Sequence, residues 1–188
     1  MRRTSIAALV VAGLLSTGCG GGDDQPAPSV TPTSSASSGT TDPTPTEPAV
    51  EPAAGFLIDL DRVRMRAPDG WKKNDPLSTF LRQAYDPETP STVALSDLSA
   101  VSDTPLQRQA EIAADRGRSR TEIVDPVEIA GVEWYHVTGR DDRFTTFDKF
   151  GTIHNGSEAV IEFGFDDEIP EAEQQEIIDS VLATVEWK

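Results

Sequence analysis

Residues 143–165 read RFTTFDKFGTIHNGSEAVIEFGF, and they specify two strands joined by a tight turn. Asn155 and Gly156 stand between the two strands, and an Asn-Gly pair favours the positive φ angles of a two-residue hairpin turn. After the turn, every second residue from Ala159 to Phe165 is apolar. The stretch therefore predicts an antiparallel hairpin whose second strand is half buried.

The preceding residues extend this hairpin into a four-stranded meander. Thr121–Ile129 and Val132–Gly139 are strand candidates on either side of an Ala130-Gly131 turn. Because hairpin turns join antiparallel neighbours, we expect four successive antiparallel strands in this half of the chain.

Further strand patterns flank the meander. Residues 62–67 alternate between arginine and apolar side chains, whereas residues 77–85 and 92–98 are weaker candidates. Residues 184–187 can return as a short closing strand. Most of the folded chain is therefore predicted to be sheet.

Two amphipathic helices are predicted to cover this sheet. Thr104, Pro105 and Gln107 form a capping-box pattern, and Gly117 can end the helix that follows. The apolar stripe of that helix is rich in small residues, which predicts close packing on a sheet. The second helix starts near Pro170. We therefore expect an α+β fold, a mainly antiparallel sheet covered by two or more helices.

The beginning of the chain has the pattern of a secretory signal. Arg2 and Arg3 precede an apolar run of ten residues at 6–15, which is too short to span about 30 Å of bilayer hydrocarbon. Small residues then lead to Cys19, the only cysteine of the chain. An ordinary secretory signal with an incidental cysteine is the alternative explanation.

Residues 15–19, Leu-Ser-Thr-Gly-Cys, resemble the lipobox of bacterial lipoproteins. The resemblance implies cleavage between Gly18 and Cys19 and a diacylglyceryl group on the Cys19 sulfur. Ser16 departs from the pattern, which usually has leucine there, and Leu15 lies one place earlier. We expect a signal peptide at 1–18 and a protein anchored in the cell membrane on its extracytoplasmic side, since two acyl chains anchor stably where one does not.

Residues 19–54 are predicted to be a disordered linker that follows the lipidated cysteine. Residues 25–54 contain seven prolines and eleven serines or threonines, and no aromatic residue. Such a composition cannot bury enough apolar area to offset its conformational entropy. The linker therefore predicts a tether that holds a folded domain, residues 55–188, away from the membrane.

Composition excludes several classes of function. The chain has 188 residues, 16 Lys or Arg and 32 Asp or Glu, and its net charge is −16. Such acidity argues against a nucleic-acid binder, because phosphate recognition needs a basic surface. One cysteine excludes an internal disulfide and multi-cysteine metal sites. The acidic runs 141–142 and 166–168 lack the spacing of a calcium loop, so we expect no metal and no cofactor.

Three short motifs resemble the PsbP-like α/β sandwich family. They are Pro68-x-Gly70-Trp71, residues 127–132 (VEIAGV), and residues 177–181 (IIDSV) followed by Trp187. The resemblance implies an α/β/α sandwich and an accessory or binding role. The chain departs from the family in having no extended insertions and no basic docking surface.

The candidate chemistry is sparse. His136 and His154 could each serve as a general base of a hydrolase, but no nucleophile elbow accompanies them, so we expect no catalytic residue and no enzyme. Arg62, Arg64 and Arg66 form a basic stripe. It is either a surface for an anionic ligand or a row of partners for nearby acids.

Aromatic residues leave one further alternative open. An exposed groove lined by several of Trp71, Trp134, Tyr135 and Trp187 would suggest an envelope glycan- or lipid-binding module. Such aromatic residues lie more often in the core. We therefore expect a non-enzymatic accessory or binding lipoprotein of the cell envelope, with the membrane and an unidentified envelope protein or ligand as its partners.

Overall fold

The computed structural model describes residues 50–74, 78–100, 103–116, 120–141 and 145–188. The predictions for the signal peptide, Cys19, residues 20–49 of the linker and Gly117 lie outside the described residues. Ten strands and two helices form in the described ranges. They are β1 (Leu57–Asp59), β2 (Val63–Arg66), β3 (Lys72–Lys73), β4 (Leu81–Tyr85), β5 (Thr92–Ser99), α1 (Leu106–Asp115), β6 (Thr121–Ile129), β7 (Val132–Asp141), β8 (Thr145–His154), β9 (Ser157–Asp166), α2 (Glu171–Leu182) and β10 (Glu186–Trp187).

Seven strands make the large sheet, in the order β3-β4-β5-β9-β8-β7-β6, and every neighbouring pair is antiparallel. The predicted meander is β6 to β9. Asn155 has φ 49° and Gly156 has φ 74°, as the hairpin turn requires, and the Ala130-Gly131 turn repeats this geometry. The α+β class and the mainly antiparallel sheet are therefore confirmed.

The large sheet buries its two faces unequally. On β9, the four alternating apolar residues from Ala159 to Phe165 are fully buried. They belong to the main core, together with buried residues of β2 and α2. On the opposite face, α1 packs against β6, β7 and β8. One face is thus a closed core, and the other carries a single helix.

A second, three-stranded sheet has the order β1-β2-β10. Val63 and Met65 of β2 are fully buried, as the alternation of residues 62–67 predicts. The sequence did not indicate that these strands would separate from the large sheet. Alternation shows which side of a strand is buried, but it does not identify the neighbouring strand.

Helix α1 connects β5, in the middle of the large sheet, to β6 at its edge. The predicted capping box is wrong. Pro105 is the N-cap, with an extended ψ of 143°, and no side chain caps the helix. Instead, Gln109 Nε2 donates a hydrogen bond of 2.7 Å to the Thr104 carbonyl. Ala110 and Ala113 are buried against the sheet, so the small-residue stripe gives the close packing that was expected.

The chain is already packed before residue 55, where we placed the start of the domain. Ala53 is 8% exposed, and its amide donates a hydrogen bond of 2.9 Å to the Ser180 carbonyl of α2. A Cβ atom on Gly55 would lie 2.3 Å from the Pro68 carbonyl oxygen. Only glycine allows this close approach, so the entry of the chain into the domain is fixed by backbone contacts.

The carboxylate of Asp97 links the two sheets. This side chain is 1% exposed. It accepts hydrogen bonds from the Arg62 amide at 2.8 Å, the Arg62 guanidinium at 3.1 Å and the Ser157 hydroxyl at 2.6 Å. One buried group of β5 therefore joins β9 to the residue that precedes β2.

We predict that Asp97→Ala lowers the free energy of unfolding by about 2–3 kcal/mol, because it leaves the buried Ser157 hydroxyl and the Arg62 amide without an acceptor. Asp59→Ala is the matched control, since Asp59 pairs with Lys188 at the surface, and it should cost less than about 1 kcal/mol. Equilibrium urea unfolding of both variants measures the difference. Equal losses would contradict the role of Asp97.

Candidate functional site

A cavity of about 270 Å³ lies between α1 and the sheet. Its walls combine apolar and polar side chains from α1, β7, β8, β9 and the β5–α1 connection. The apolar ones are Ala100, Ile112, Ala113, Ile153 and Val160. The polar ones are Thr104, Gln109, Arg116, Tyr135, Lys149 and Glu158. This cavity forms on the face of the sheet that α1 alone covers.

Tyr135 reaches the cavity because of the alternation of β7. Trp134, its neighbour, is fully buried in the main core, so Tyr135 points to the α1 side. Gly151 of β8 is its cross-strand partner. A Cβ atom on Gly151 would lie 2.4 Å from the Tyr135 hydroxyl oxygen. The absence of a side chain at Gly151 therefore makes room for the phenol ring.

The hydroxyl of Tyr135 is a donor that opens onto the cavity. The residue is 6% exposed, and its hydroxyl makes no hydrogen bond to any residue that the structure describes. Burial raises the pKa of the Tyr135 phenol, and the carboxylates of Glu158 and Glu162 raise it further, while Arg116 acts in the opposite direction. The phenol is therefore protonated at neutral pH and can donate to an acceptor in the cavity.

Three charged side chains of the cavity differ in their pairing. Lys149 Nζ lies 2.8 Å from a carboxylate oxygen of Glu162. Arg116 and Glu158 are exposed at the cavity, and neither forms an ion pair with another residue in the described ranges. Two charges of opposite sign are thus left uncompensated on its wall.

His136 lies on the other face of β7 from Tyr135. Its Nε2 atom is 2.7 Å from Asp148 Oδ1, and its ring stacks on Phe150 with a centroid distance of 4.3 Å. Both polar side chains are largely buried. His136 does not line the α1 cavity, and no hydroxyl donates to it among the described residues.

His154 lies at the end of β8, next to the hairpin turn. Its Nε2 atom is 2.9 Å from Asn155 Nδ2, and its ring centroid is 4.8 Å from that of Trp187. The two histidines therefore lie in separate surroundings. Ser157 is the cross-strand partner of His154, but its hydroxyl donates to Asp97. Hydrolysis at either ring stays the less favoured alternative.

The basic stripe of β2 is held by contacts within the chain. Arg62 binds the buried carboxylate described above. Arg64 forms a two-nitrogen contact with Glu186 at 2.5 and 2.9 Å, and Arg66 donates to the Gly55 carbonyl at 3.1 Å. Arg64 and Arg66 also line a cavity of about 370 Å³. Acid pairing thus accounts for two of these arginines, and a ligand surface here stays a prediction.

The candidate aromatic residues do not share one groove. Trp134 donates its indole N–H to the Ile129 carbonyl at 3.2 Å in the core. Trp187 packs against it with a centroid distance of 5.7 Å. Trp71 lies elsewhere, in a groove of about 750 Å³ beside α2, and Tyr135 lines the α1 cavity. A glycan or lipid site built from several of these rings is not assembled by the described residues.

The acidic run 166–168 has structural partners. Asp166 Oδ1 accepts the Glu168 amide at 2.8 Å, just before α2, and Asp167 lies 2.5 Å from an Arg140 guanidinium nitrogen. Asp142 and the side chain of Asp141 lie outside the described part. Within that part, no three His, Cys, Asp or Glu side chains are grouped to hold a metal ion. The described helices are also too short or too polar to cross a membrane.

No known family model matches the sequence, and no curated protein does so either. Solved structures similar to the chain include a crystal structure from Bacteroides thetaiotaomicron, at 14% identity and a TM-score of 0.47. The match covers 67% of this chain but only 45% of that protein. Another is the solution structure of cyanobacterial PsbP from Synechocystis, at 13% identity and a TM-score of 0.49, covering 67% of this chain and 86% of that one. Neither likeness carries an argument about function.

Sequence reasoning singled out Tyr135 only as one of several aromatic residues, and it missed Arg116, Lys149 and Glu158. Tyr135, Lys149 and Glu158 lie on three different strands, and Arg116 directly follows α1, so no local spacing connects them. Their charges do not stand out either, because 26% of the residues in the chain are charged. One usable signal was Gly151, because a glycine inside a strand marks a close approach of another group.

We predict that Gly151→Ala lowers the free energy of unfolding by about 1–3 kcal/mol, because the new methyl group overlaps the Tyr135 ring under α1. Gly164→Ala, on the same sheet face, is the control. Its Cβ would meet only Thr92 Oγ1, at 3.4 Å, so a change within about 0.5 kcal/mol is expected. Urea unfolding measures both, and equal effects would rule out the proposed fit of Tyr135 over Gly151.

We also predict a loss of stability at alkaline pH that depends on Tyr135. Because the phenol pKa is raised on folding, the folded state keeps a proton that the unfolded chain loses above its ordinary pKa of about 10. Stability should therefore fall above about pH 10, by up to about 1.4 kcal/mol per pH unit. Tyr135→Phe should remove this component, which is read as the difference between the two unfolding curves. Parallel curves would refute the assignment.

Proposed function

We propose that this chain is a lipid-anchored accessory or binding protein of a bacterial cell envelope, of the PsbP-like lipoprotein type, held on the extracytoplasmic side and without catalytic activity. The observation that carries the proposal is the position of Cys19. The only cysteine of the chain directly follows a signal-like apolar run and small residues. Attachment of two acyl chains there would fix the protein to the membrane.

The linker supports the same arrangement. Residues 20–54 contain five acidic residues and no basic one. Anionic lipid attracts basic segments, so this stretch would stay off the bilayer surface. A lipid anchor followed by a polar, proline-rich tether suits a domain that meets its partner at some distance from the membrane.

Binding is favoured over catalysis by the arrangement of polar groups. The α1 cavity offers a protonated phenol and two uncompensated charges, all of which can recognise a ligand. A histidine–carboxylate contact, between His136 and Asp148, lies on the opposite side of β7. General acid–base chemistry needs its groups within reach of the bound molecule, and these two are not.

We predict that Cys19→Ala abolishes incorporation of radioactive palmitate and leaves the protein uncleaved or released from the membrane. The measurement is metabolic labelling in a bacterial host that processes lipoproteins, followed by membrane fractionation. Ser16→Leu is the matched control, because it restores the usual lipobox residue and should keep both labelling and processing.

Equal labelling of the Cys19→Ala protein and the parent would contradict the anchor. So would a mature parent protein whose thiol is unmodified in mass spectrometry. Either result would leave an ordinary secretory signal as the explanation of residues 1–19.

A further inference from the structure

We propose that the cavity beneath α1 binds a small zwitterion with an aliphatic side chain, namely a free amino acid of about the size of leucine. The inference rests on the proposed binding function and adds the ligand class. It is carried by three observations, which are the volume of the cavity, the Tyr135 hydroxyl on its wall, and two charges of opposite sign that have no ion-pair partner among the described residues.

The volume limits the ligand to a small molecule. A cavity of about 270 Å³ is slightly smaller than the pockets of about 300–1,000 Å³ that bind drug-sized ligands. Leucine, with about nine non-hydrogen atoms, is smaller than such ligands. The aliphatic walls, which include Ile112, Ile153 and Val160, favour an apolar side chain over a second polar group.

The Tyr135 hydroxyl can donate a hydrogen bond to the ligand. The residue is more than nine-tenths buried, and its hydroxyl has no partner among the described residues. The hydroxyl opens onto the cavity, so a ligand oxygen there can replace water as its acceptor. A carboxylate is a suitable acceptor, because hydrogen bonds to a charged acceptor are stronger than neutral ones.

The two uncompensated charges define the rest of the ligand. A monoanion would pair with Arg116 but meet the carboxylate of Glu158, and a monocation would have the reverse problem. A zwitterion pairs with both. Both residues act on the pKa of the Tyr135 phenol, in opposite directions, which places both within electrostatic reach of the hydroxyl. Lys149 adds no free charge, since Glu162 neutralises it.

The test titrates the purified full chain with three probes by isothermal titration calorimetry. The probes are L-leucine, 4-methylpentanoate, which lacks the ammonium group, and 3-methylbutylamine, which lacks the carboxylate. Leucine should bind saturably, and each analogue should bind at least about tenfold more weakly, as expected when one charged hydrogen bond is lost.

Variants assign each half of the ligand. Arg116→Gln should weaken leucine by about tenfold and leave 3-methylbutylamine unchanged, whereas Glu158→Gln should weaken leucine and leave 4-methylpentanoate unchanged. Arg108→Gln and Glu122→Gln are controls with the same charge changes away from the cavity, and both should keep leucine binding within about twofold. Tyr135→Phe should weaken leucine with no loss of fold, monitored by circular dichroism.

The inference is overturned if leucine shows no saturable binding, if either analogue binds as well as leucine, or if the control variants weaken binding as much as the cavity variants. None of these results bears on palmitate labelling at Cys19. Failure of the ligand class and failure of the lipid anchor are therefore distinguished by separate measurements.

Discussion

The buried carboxylate of Asp97 is the contact on which the arrangement of the two sheets depends. Its three donors come from the residue before β2 and from the first residue of β9. A carboxylate buried in this way is tolerated only when its oxygens are fully hydrogen-bonded. The small sheet must therefore approach the large sheet in one register, and the core between them closes around Val63, Met65 and the apolar row of β9.

The main core closes one face of the large sheet, and helix α1 alone covers the other face. Helix α1 crosses from the middle of the sheet to its edge, and it touches β6, β7 and β8 through small residues. The outer half of the same face, on β4 and β5, stays partly exposed, with Tyr85 and Leu98 among its exposed side chains. The cavity lies on this face, along α1 from Thr104 to Arg116 and over β7, β8 and β9. It follows from topology: one short connecting helix cannot cover seven strands.

The parts of this fold that the sequence predicts are the local ones. The Asn155-Gly156 turn and the alternation after it predict the central hairpin, because turn geometry and burial are both encoded within a few residues. The failure at Thr104 is also local: Pro105 takes an extended ψ and becomes the N-cap itself, so the preceding threonine lies outside the helix. The separate small sheet could not be predicted, since β2 pairs with β10 about 120 residues away. The candidate site is harder still, because Arg116, Tyr135 and Glu158 meet only after α1 has crossed the sheet. Cys19 lies outside the described residues, so its role stays a prediction.

Net charge bears on what such a cavity can accept. A chain with a net charge of −16 repels small anions and attracts cations over its whole surface, so neither response would be specific to one site. A zwitterion carries no net charge and experiences little of this general field. Its recognition depends on a local pair of opposite charges and on the Tyr135 hydroxyl that opens onto the same cavity. Many cations of the described residues have an acid partner, as Arg64 has Glu186 and Lys149 has Glu162. Arg116 and Glu158 have no ion-pair partner among the described residues, and both lie on the wall of the cavity that Tyr135 lines. A ligand that carries both charges matches this wall.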